Sequence, residues 1–176
     1  PSEVALFHLG SMDWLPNIEG VKWFLNTCWN NIHHRFPELK LYLAGRSFPE
    51  DIRNGVHPNT FCEGRIDNAH EYMLAKQIMI VPLLSGSGMR VKIIQGLALG
   101  RTIISTTIGA EGIDVEDKKN ILIADTPEEF LSAVEFCMKD PEACRQIGMN
   151  GRKLAEEKYS NTAIGKALTA FYNGLK

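Results

Sequence analysis

The sequence lacks the clustered cysteines that a zinc site or a redox motif requires. Its four cysteines are dispersed without a CxxC pair, at Cys28, Cys62, Cys137 and Cys144. Because metal-binding and redox thiols occur at close spacing, we interpret these as free, mostly buried thiols in a reducing compartment. The adjacent histidines His33 and His34 point about 100° apart on a helix and have no third ligand nearby, so we predict no metal site.

The sequence also has no large excess of charge of either sign and no long apolar run. It carries 19 basic and 21 acidic residues, for a formal net charge of -2. A nucleic-acid-binding surface needs a basic surplus, and a membrane span needs about 20 consecutive apolar residues. No charged segment followed by an apolar one, as in a secretory signal, opens the sequence. We therefore expect a cytoplasmic protein with no nucleic-acid partner, and leave open a peripheral position at the inner membrane face.

What the sequence does contain is the composition of one folded domain. Its 176 residues are 44% hydrophobic and 23% charged, which is typical of globular proteins. A domain of this size buries roughly 70% of the surface that its unfolded chain exposes, so it needs no disulfide or metal to fold. We predict a single domain over residues 1–176.

Short apolar runs alternate with helical patterns along this domain. The runs predict six strands, at 4–9, 39–44, 60–63, 77–84, 101–105 and 120–124. The intervening patterns predict helices between Asn17 and Pro37, over 48–53, 67–75, 89–99 and 127–138, and onward from Pro141 and Asn161. We assign Asn17, Asp67 and Thr126 as N-caps. The fold class is therefore α/β, a Rossmann-like, doubly wound parallel sheet of about six strands with C-terminal helices, and ligands of such sheets bind at the carboxyl ends of the strands.

The loop after the fourth predicted strand has the features of a phosphate site. It reads Ser85-Gly86-Ser87-Gly88-Met89-Arg90-Val91-Lys92 and leads into a helix. The helix N-terminus attracts anions, and two cations placed there are unfavourable by about 0.3–1 kcal/mol each unless an anion is bound. The alternative is a surface turn with two solvated cations. The loop has no Gly-Lys-Ser/Thr of a P-loop, and the first strand is not followed by the glycine triplet of a dinucleotide site.

Several segments together resemble the C-terminal domain of group 1 (family 4) glycosyltransferases. They are residues 86–95, Ala98-Leu99-Gly100-Arg101, and the stretch from Ile104 to Gly112. The first loop, with Gly10-Ser11-Met12-Asp13-Trp14 followed by Pro16-Asn17, resembles a bacterial subfamily, and Gly64 and Tyr159 agree. The resemblance covers nearly the whole chain.

The resemblance implies one half of a GT-B architecture, in which two Rossmann-like domains face each other across a cleft. The C-terminal domain of such enzymes binds a nucleotide sugar, here expected to be UDP- or GDP-linked, and the N-terminal domain of the same natural chain supplies most of the acceptor site. Transfer retains configuration and generally needs no essential metal, so no cofactor is expected. By analogy, the acceptor is a carbohydrate or a lipid-linked molecule of cell-envelope or exopolysaccharide synthesis, the activity is of the hexosyltransferase type, and the isolated domain is inactive.

The resemblance also assigns roles to individual residues. Arg90 and Lys92, with Gly88, would hold the diphosphate and stabilise the leaving nucleoside diphosphate, which makes these two cations the catalytic candidates. The other donor-binding candidates are Gly86, Ser87, Met89, Gln95, Gly64, Arg65, Ile66 and Glu111. Ser87 and Gln95 stand where the family's Glu-x7-Glu motif has its two glutamates, so both carboxylates are missing. Ser11 and Glu19 stand near the places of an arginine and a lysine that the family often has in the first loop.

Some assignments stay open at this stage. Arg65 is either a contact of the nucleotide base or a solvated loop residue, and Glu111 either touches the donor sugar or caps a turn. Trp14 is either an exposed stacking platform or, as we favour, a packing residue, and we interpret His8 as a core histidine. A sugar-nucleotide epimerase and a non-catalytic nucleotide-sugar-binding domain are the alternatives to the transferase.

Overall fold

The computed structural model describes residues 3–174, and its centre is one parallel sheet of six strands. The strands are β1 (Glu3–Leu9), β2 (Leu41–Ala44), β3 (Thr60–Gly64), β4 (Lys76–Val81), β5 (Thr102–Ser105) and β6 (Leu122–Ile123). They are hydrogen-bonded in the order β3-β2-β1-β4-β5-β6. The chain therefore winds outward from β1 in one direction, returns to β4, and winds outward in the other. This is the doubly wound arrangement that the sequence predicts.

Helices cover both faces of the sheet. They are α1 (Leu15–Trp23), α2 (Asn30–Arg35), α3 (Glu50–Arg53), α4 (Ala69–Ala75), α5 (Val91–Ala98), α6 (Pro127–Lys139), α7 (Pro141–Leu154) and α8 (Asn161–Asn173). A π-helical segment, Phe24–Trp29, joins α1 to α2, and a second one, Ala155–Tyr159, follows α7. None of the helices in this part of the chain combines the length and the apolarity needed to cross a membrane.

The apolar side chains form two cores because the central strands β1, β4 and β5 are buried on both faces, whereas the edge strand β3 is only partly buried. The core on one face is built on α1 with its π-helical extension and on α6, and includes Trp29 and Phe130. The other core is built on α4 and α5 and includes Met73, Ile93 and Leu97. Nearly continuous apolar strands are what a sheet covered on both sides requires.

The predicted N-caps are partly right. Thr126 caps α6 in a capping box with Glu129, as predicted. Asp67 was the wrong choice for α4, because the Asn68 side chain accepts the hydrogen bond from the Glu71 amide one residue further on. Adjacent Asp and Asn are equally good caps by type, so the sequence does not distinguish them.

Asn17 is not an N-cap, which corrects the prediction for the first helix. The helix begins at Leu15, with Trp14 at the N-cap position and Pro16 in the first turn, so Asn17 lies inside it. Proline is favoured in the first turn because its missing N–H has no partner there in any case. Asn17 is buried, and its side chain makes no capping hydrogen bond to the helix.

The loops at the carboxyl ends of the strands pack tightly on one another. The Gly10 amide donates to the Ala44 carbonyl, and the Gly45 amide donates to the Gly64 carbonyl, at 2.9 and 2.7 Å. Gly45 has φ +144°, and a Cβ at that position would lie 1.8 Å from the Gly10 oxygen. The carboxyl ends of β1, β2 and β3 are thus hydrogen-bonded to one another. Only glycine at position 45 lets the loops after β1 and β2 approach this closely.

Two helical glycines provide a test of this packing. A Cβ on Gly20 of α1 would lie 2.2 Å from the Pro82 carbonyl oxygen, whereas one on Gly165 of α8 would have no atom within 4 Å. We expect Gly20→Ala to lower the free energy of unfolding by at least about 1–3 kcal/mol. Gly165→Ala should raise it by up to about 1 kcal/mol, because alanine is the better helix former. Urea denaturation measures both, and equal effects at the two positions would contradict the packing described.

Candidate functional site

The glycine loop between β4 and α5 forms the centre of the candidate site. Gly86 and Gly88 have φ values of +107° and +84°, which residues other than glycine rarely adopt. Nothing lies within 4 Å of the position where a Cβ on Gly88 would stand. The backbone of this loop is therefore open to a ligand. Ser87 and Met89, the flanking candidates, are exposed on the same loop.

Arg90 lies at the N-cap position of α5, which begins at Val91, two residues later than predicted. The residue is buried, and its Nη1 donates to the carbonyl oxygens of Ser87 and Gly88. Its guanidinium carbon lies 5.2 Å from the centre of the Trp14 ring. The Nε and Nη2 atoms are buried without a hydrogen-bond partner in the described part of the chain. Arg90 therefore holds the glycine loop in place and leaves the N–H groups of Nε and Nη2 unused.

Lys92 lies in the first turn of α5 and is partly buried. Its Nζ donates to the Asn17 Oδ1 at 2.8 Å. Burial of the ammonium, and then the charge of Arg90, lower the pKa of Lys92 to about 7. Within residues 3–174, no carboxylate lies at ion-pair distance from Lys92 or Arg90. Two cations thus stand at a helix N-terminus without a counter-ion, which is a site for an anion.

His8 lies beneath Lys92 in β1 and is fully buried. Its Nδ1 donates to the Ile80 carbonyl oxygen at 3.1 Å, which leaves Nε2 as an acceptor. Burial, and then the charge of Lys92, hold the pKa of His8 well below its usual range. The prediction of a core histidine is confirmed, although Nε2 has no partner among the described residues.

The first loop carries a polar cluster that the sequence does not reveal. Arg46, which follows β2, lies 2.7 Å from Asp13 Oδ2 and donates through Nε to the Ser11 hydroxyl at 3.0 Å. Hydrogen bonds from Ser47 and Ser11, followed by the charge of Arg46, lower the pKa of Asp13. Ser11 thus has an arginine beside it, supplied by the neighbouring strand. The one hint in the sequence is the position of Arg46 directly after Gly45 at the end of β2, where ligand-binding loops of such sheets begin.

Trp14 lies at the site rather than in either core. Its ring packs against Gly86, where a Cβ would lie 3.1 Å from the ring atom Cζ2. The residue is 38% exposed, so one part of the ring contacts the loop while another faces solvent. Trp14 is therefore both a packing residue and a partly exposed ring at the site.

Gln95 lies one turn after Lys92 and is exposed. It borders a groove of about 260 Å³ between α4 and α5, whose other walls are Ala69, His70, Met73, Ala98 and Leu99. At the end of β3, Gly64 has φ +68°, Arg65 is exposed, and Ile66 packs against the core beneath α4 and α5. Gln95 therefore lies beside a largely apolar groove, and the β3 candidates lie at the end of an edge strand, three strands from β4 in the sheet.

Glu111 is exposed in the turn that follows β5. The next residue, Gly112, has φ +77°, and a Cβ there would lie 3.0 Å from Met89 Cγ. The turn that carries Glu111 is therefore in contact with the glycine loop. The candidates Gly86, Ser87, Gly88, Met89, Arg90, Lys92 and Glu111 lie within one connected set of loops.

The chain is similar in sequence and in fold to known proteins. The family model described as "Glycosyl transferases group 1" matches residues 3–140. A Klebsiella pneumoniae protein, described as an uncharacterized 44.6 kDa protein in the cps region, is 22% identical over 160 residues, which cover 84% of this chain and 40% of that protein.

Solved structures share the fold. Anabaena HepE in complex with UDP superimposes with a TM-score of 0.72 at 14% identity, over 96% of this chain and 49% of HepE. The C-terminal domain of a group 1 family glycosyl transferase, LpcC from Francisella tularensis, superimposes with a TM-score of 0.67 at 16% identity, over 92% of this chain and 88% of that domain. The chain spans less than half the length of the Klebsiella protein and of HepE. Because the family model covers most of its residues, the chain belongs to the group 1 glycosyl transferases.

Proposed function

We propose that this chain is the donor-binding half of a retaining glycosyltransferase, which holds the diphosphate of a nucleotide sugar at the N-terminus of α5. The observation that carries the proposal is the pair Arg90 and Lys92, which stand at that N-terminus with no carboxylate within ion-pair distance in the described part of the chain. A diphosphate supplies the missing negative charge. As the glycosidic bond breaks, charge accumulates on the leaving nucleoside diphosphate, and these cations stabilise it.

The rest of the donor would extend from the glycine loop in two directions. The exposed amide of Gln95 can both donate to and accept from ribose hydroxyls, and the groove beside it leads toward α4. The turn with Glu111 lies on the other side of the loop, against Met89. We assign the nucleoside to the α4–α5 side and the sugar to the β5 side. UDP is the first nucleotide to test, because it is the ligand of HepE.

A non-catalytic nucleotide-sugar-binding domain is the second candidate, and one observation favours it. Ser87 and Gln95 replace the two carboxylates of the family motif. A serine hydroxyl is too short to take the place of a glutamate, although the neighbouring backbone amides remain exposed. This candidate predicts nucleotide-sugar binding without transfer in the full-length protein.

Substitution of the two cations tests the anion site. Arg90→Ala and Lys92→Met each remove a charged donor, so we expect each to weaken UDP-glucose binding by about 10- to 100-fold. Isothermal titration calorimetry measures the affinity. Lys139→Met, which removes an exposed lysine on α6, is the matched control and should leave the affinity unchanged. Equal affinities for all four proteins, with thermal melting showing each folded, would contradict the site.

The pH dependence of binding follows from the lowered pKa of Lys92. Its ammonium is present below pH 7 and lost above it. The diphosphate of UDP-glucose keeps its charge between pH 6 and 9, so the affinity should fall above pH 7, approaching about tenfold for each pH unit. Calorimetry of the wild type and of Lys92→Met checks this. A decline of the same size in both proteins would assign the pH dependence to another group.

Product analysis separates transfer from its alternatives. We expect the full-length enzyme to transfer sugar to an acceptor and the present chain alone to bind the nucleotide sugar without turnover. Chromatography of UDP-glucose incubated with each protein, with and without acceptor extract, measures this. Epimerised nucleotide sugar in the absence of acceptor would indicate an epimerase, and an inactive full-length protein that still binds would indicate the non-catalytic domain.

A further inference from the structure

One buried amide connects the first loop to the anion site. Asn17 is 4% exposed. Its Oδ1 accepts a hydrogen bond from the Lys92 ammonium, and its Nδ2 donates to the Ser11 carbonyl oxygen, each at 2.8 Å. Both ends of the amide are therefore occupied, and the orientation of its oxygen toward Lys92 is fixed by the bond at the other end.

The space around this contact leaves the two side chains little freedom. A Cβ on Gly10 would lie 2.8 Å from Asn17 Nδ2, 2.9 Å from Lys92 Nζ and 3.0 Å from His8 Nε2. Three nitrogen atoms thus converge over one glycine. Since a larger residue at this position would displace them, Gly10 provides the room in which Asn17 and Lys92 meet.

The chemistry of an amide suits a ligand-binding cation. A carboxylate at this place would pair with the ammonium and cancel the charge that an anionic ligand needs. An amide oxygen satisfies one N–H of the ammonium and leaves its full charge available. The other two N–H groups remain for a ligand. Asn17 therefore orders Lys92 without competing for its charge.

We propose that Asn17 is a positioning residue, which acts through Lys92 by holding its ammonium where it meets the phosphate groups of the donor. This inference rests on the proposed function, because it assigns the phosphate contact to Lys92. It adds Asn17, a buried and uncharged residue of α1, to an anion site for which the resemblance names Gly88, Arg90 and Lys92.

The test is a double-mutant cycle with UDP-glucose as the probe. Asn17→Ala should weaken binding about tenfold in the wild type and have no further effect in Lys92→Met, because its action passes through that lysine. Asn30→Ala, an exposed asparagine on α2, is the matched control and should have no effect. Equal losses from Asn17→Ala in both backgrounds would overturn the proposal.

A second readout does not depend on nucleotide binding. Nuclear magnetic resonance of labelled lysine measures the pKa of Lys92 directly. Asn17→Ala should lower this pKa, because the ammonium loses an acceptor, and Asn17→Asp should raise it, because a carboxylate favours the charged form. His8 on β1 and Arg90 before α5 are the titratable groups whose charges interact with Lys92. The carboxylates of the first loop and of α1 are Asp13 and Glu19. These groups are unchanged in both variants, and the Glu19 and Asp13 carboxylates bond to Ser85 and to Arg46.

The outcomes separate the two proposals. Shifted Lys92 pKa values with no UDP-glucose binding in the wild type would reject the proposed function and keep the contact. Binding that Asn17→Ala leaves intact, with an unchanged pKa in both variants, would reject the positioning role and keep the function. If Asn17→Ala unfolds, Asn17→Asp, which has nearly the same shape, replaces it in the test. A raised pKa of Lys92 together with a weakened affinity for UDP-glucose would support the positioning role, and an unchanged pKa and affinity would reject it.

Discussion

The constraint on which the site depends is the pair of cations at the N-terminus of α5 that no carboxylate neutralises. Arg90 is buried. Burial of the Lys92 ammonium, followed by the charge of Arg90, lowers the pKa of Lys92 to about 7. Such an arrangement is unfavourable in the empty protein. The surrounding structure holds it in place through the carbonyl oxygens of the glycine loop for Arg90 and through Asn17 for Lys92.

The fold supplies the rigidity that this arrangement needs. The loop lies at the end of β4, a central strand with β1 and β5 on its two sides. Gly20 of α1 packs on the Pro82 carbonyl, and Thr106 after β5 donates to the Leu83 carbonyl at 2.5 Å. The glycine loop is therefore fixed from both neighbouring strands. A site of this kind trades stability for binding, because like charges are kept together for a ligand.

Local patterns predicted most of the fold and the sequence segment on which the candidate site is proposed. Apolar runs predicted all six strands, because the central ones are buried on both faces. The glycine at position 100 ended α5 as expected, with φ +67°. The glycine loop and its two cations could be recognised because they are adjacent in the sequence. Asn17 and Arg46 were missed because their partners, Lys92 and Asp13, are distant along the chain and meet only through the parallel sheet. The preference of asparagine for N-caps predicts Asn17 at that position, whereas the helix begins at Leu15 with Pro16 in its first turn.

The most direct measurement of the central claim is a titration of the labelled chain with inorganic pyrophosphate, followed by amide chemical shifts at pH 6.5. Pyrophosphate presents the diphosphate group of the donor without its base or sugar. The account predicts saturable shifts confined to the glycine loop, the first turn of α5 and the Asn17 side chain. Shifts confined to the exposed lysines of α7 and the second π-helical segment, or none at all, would contradict it.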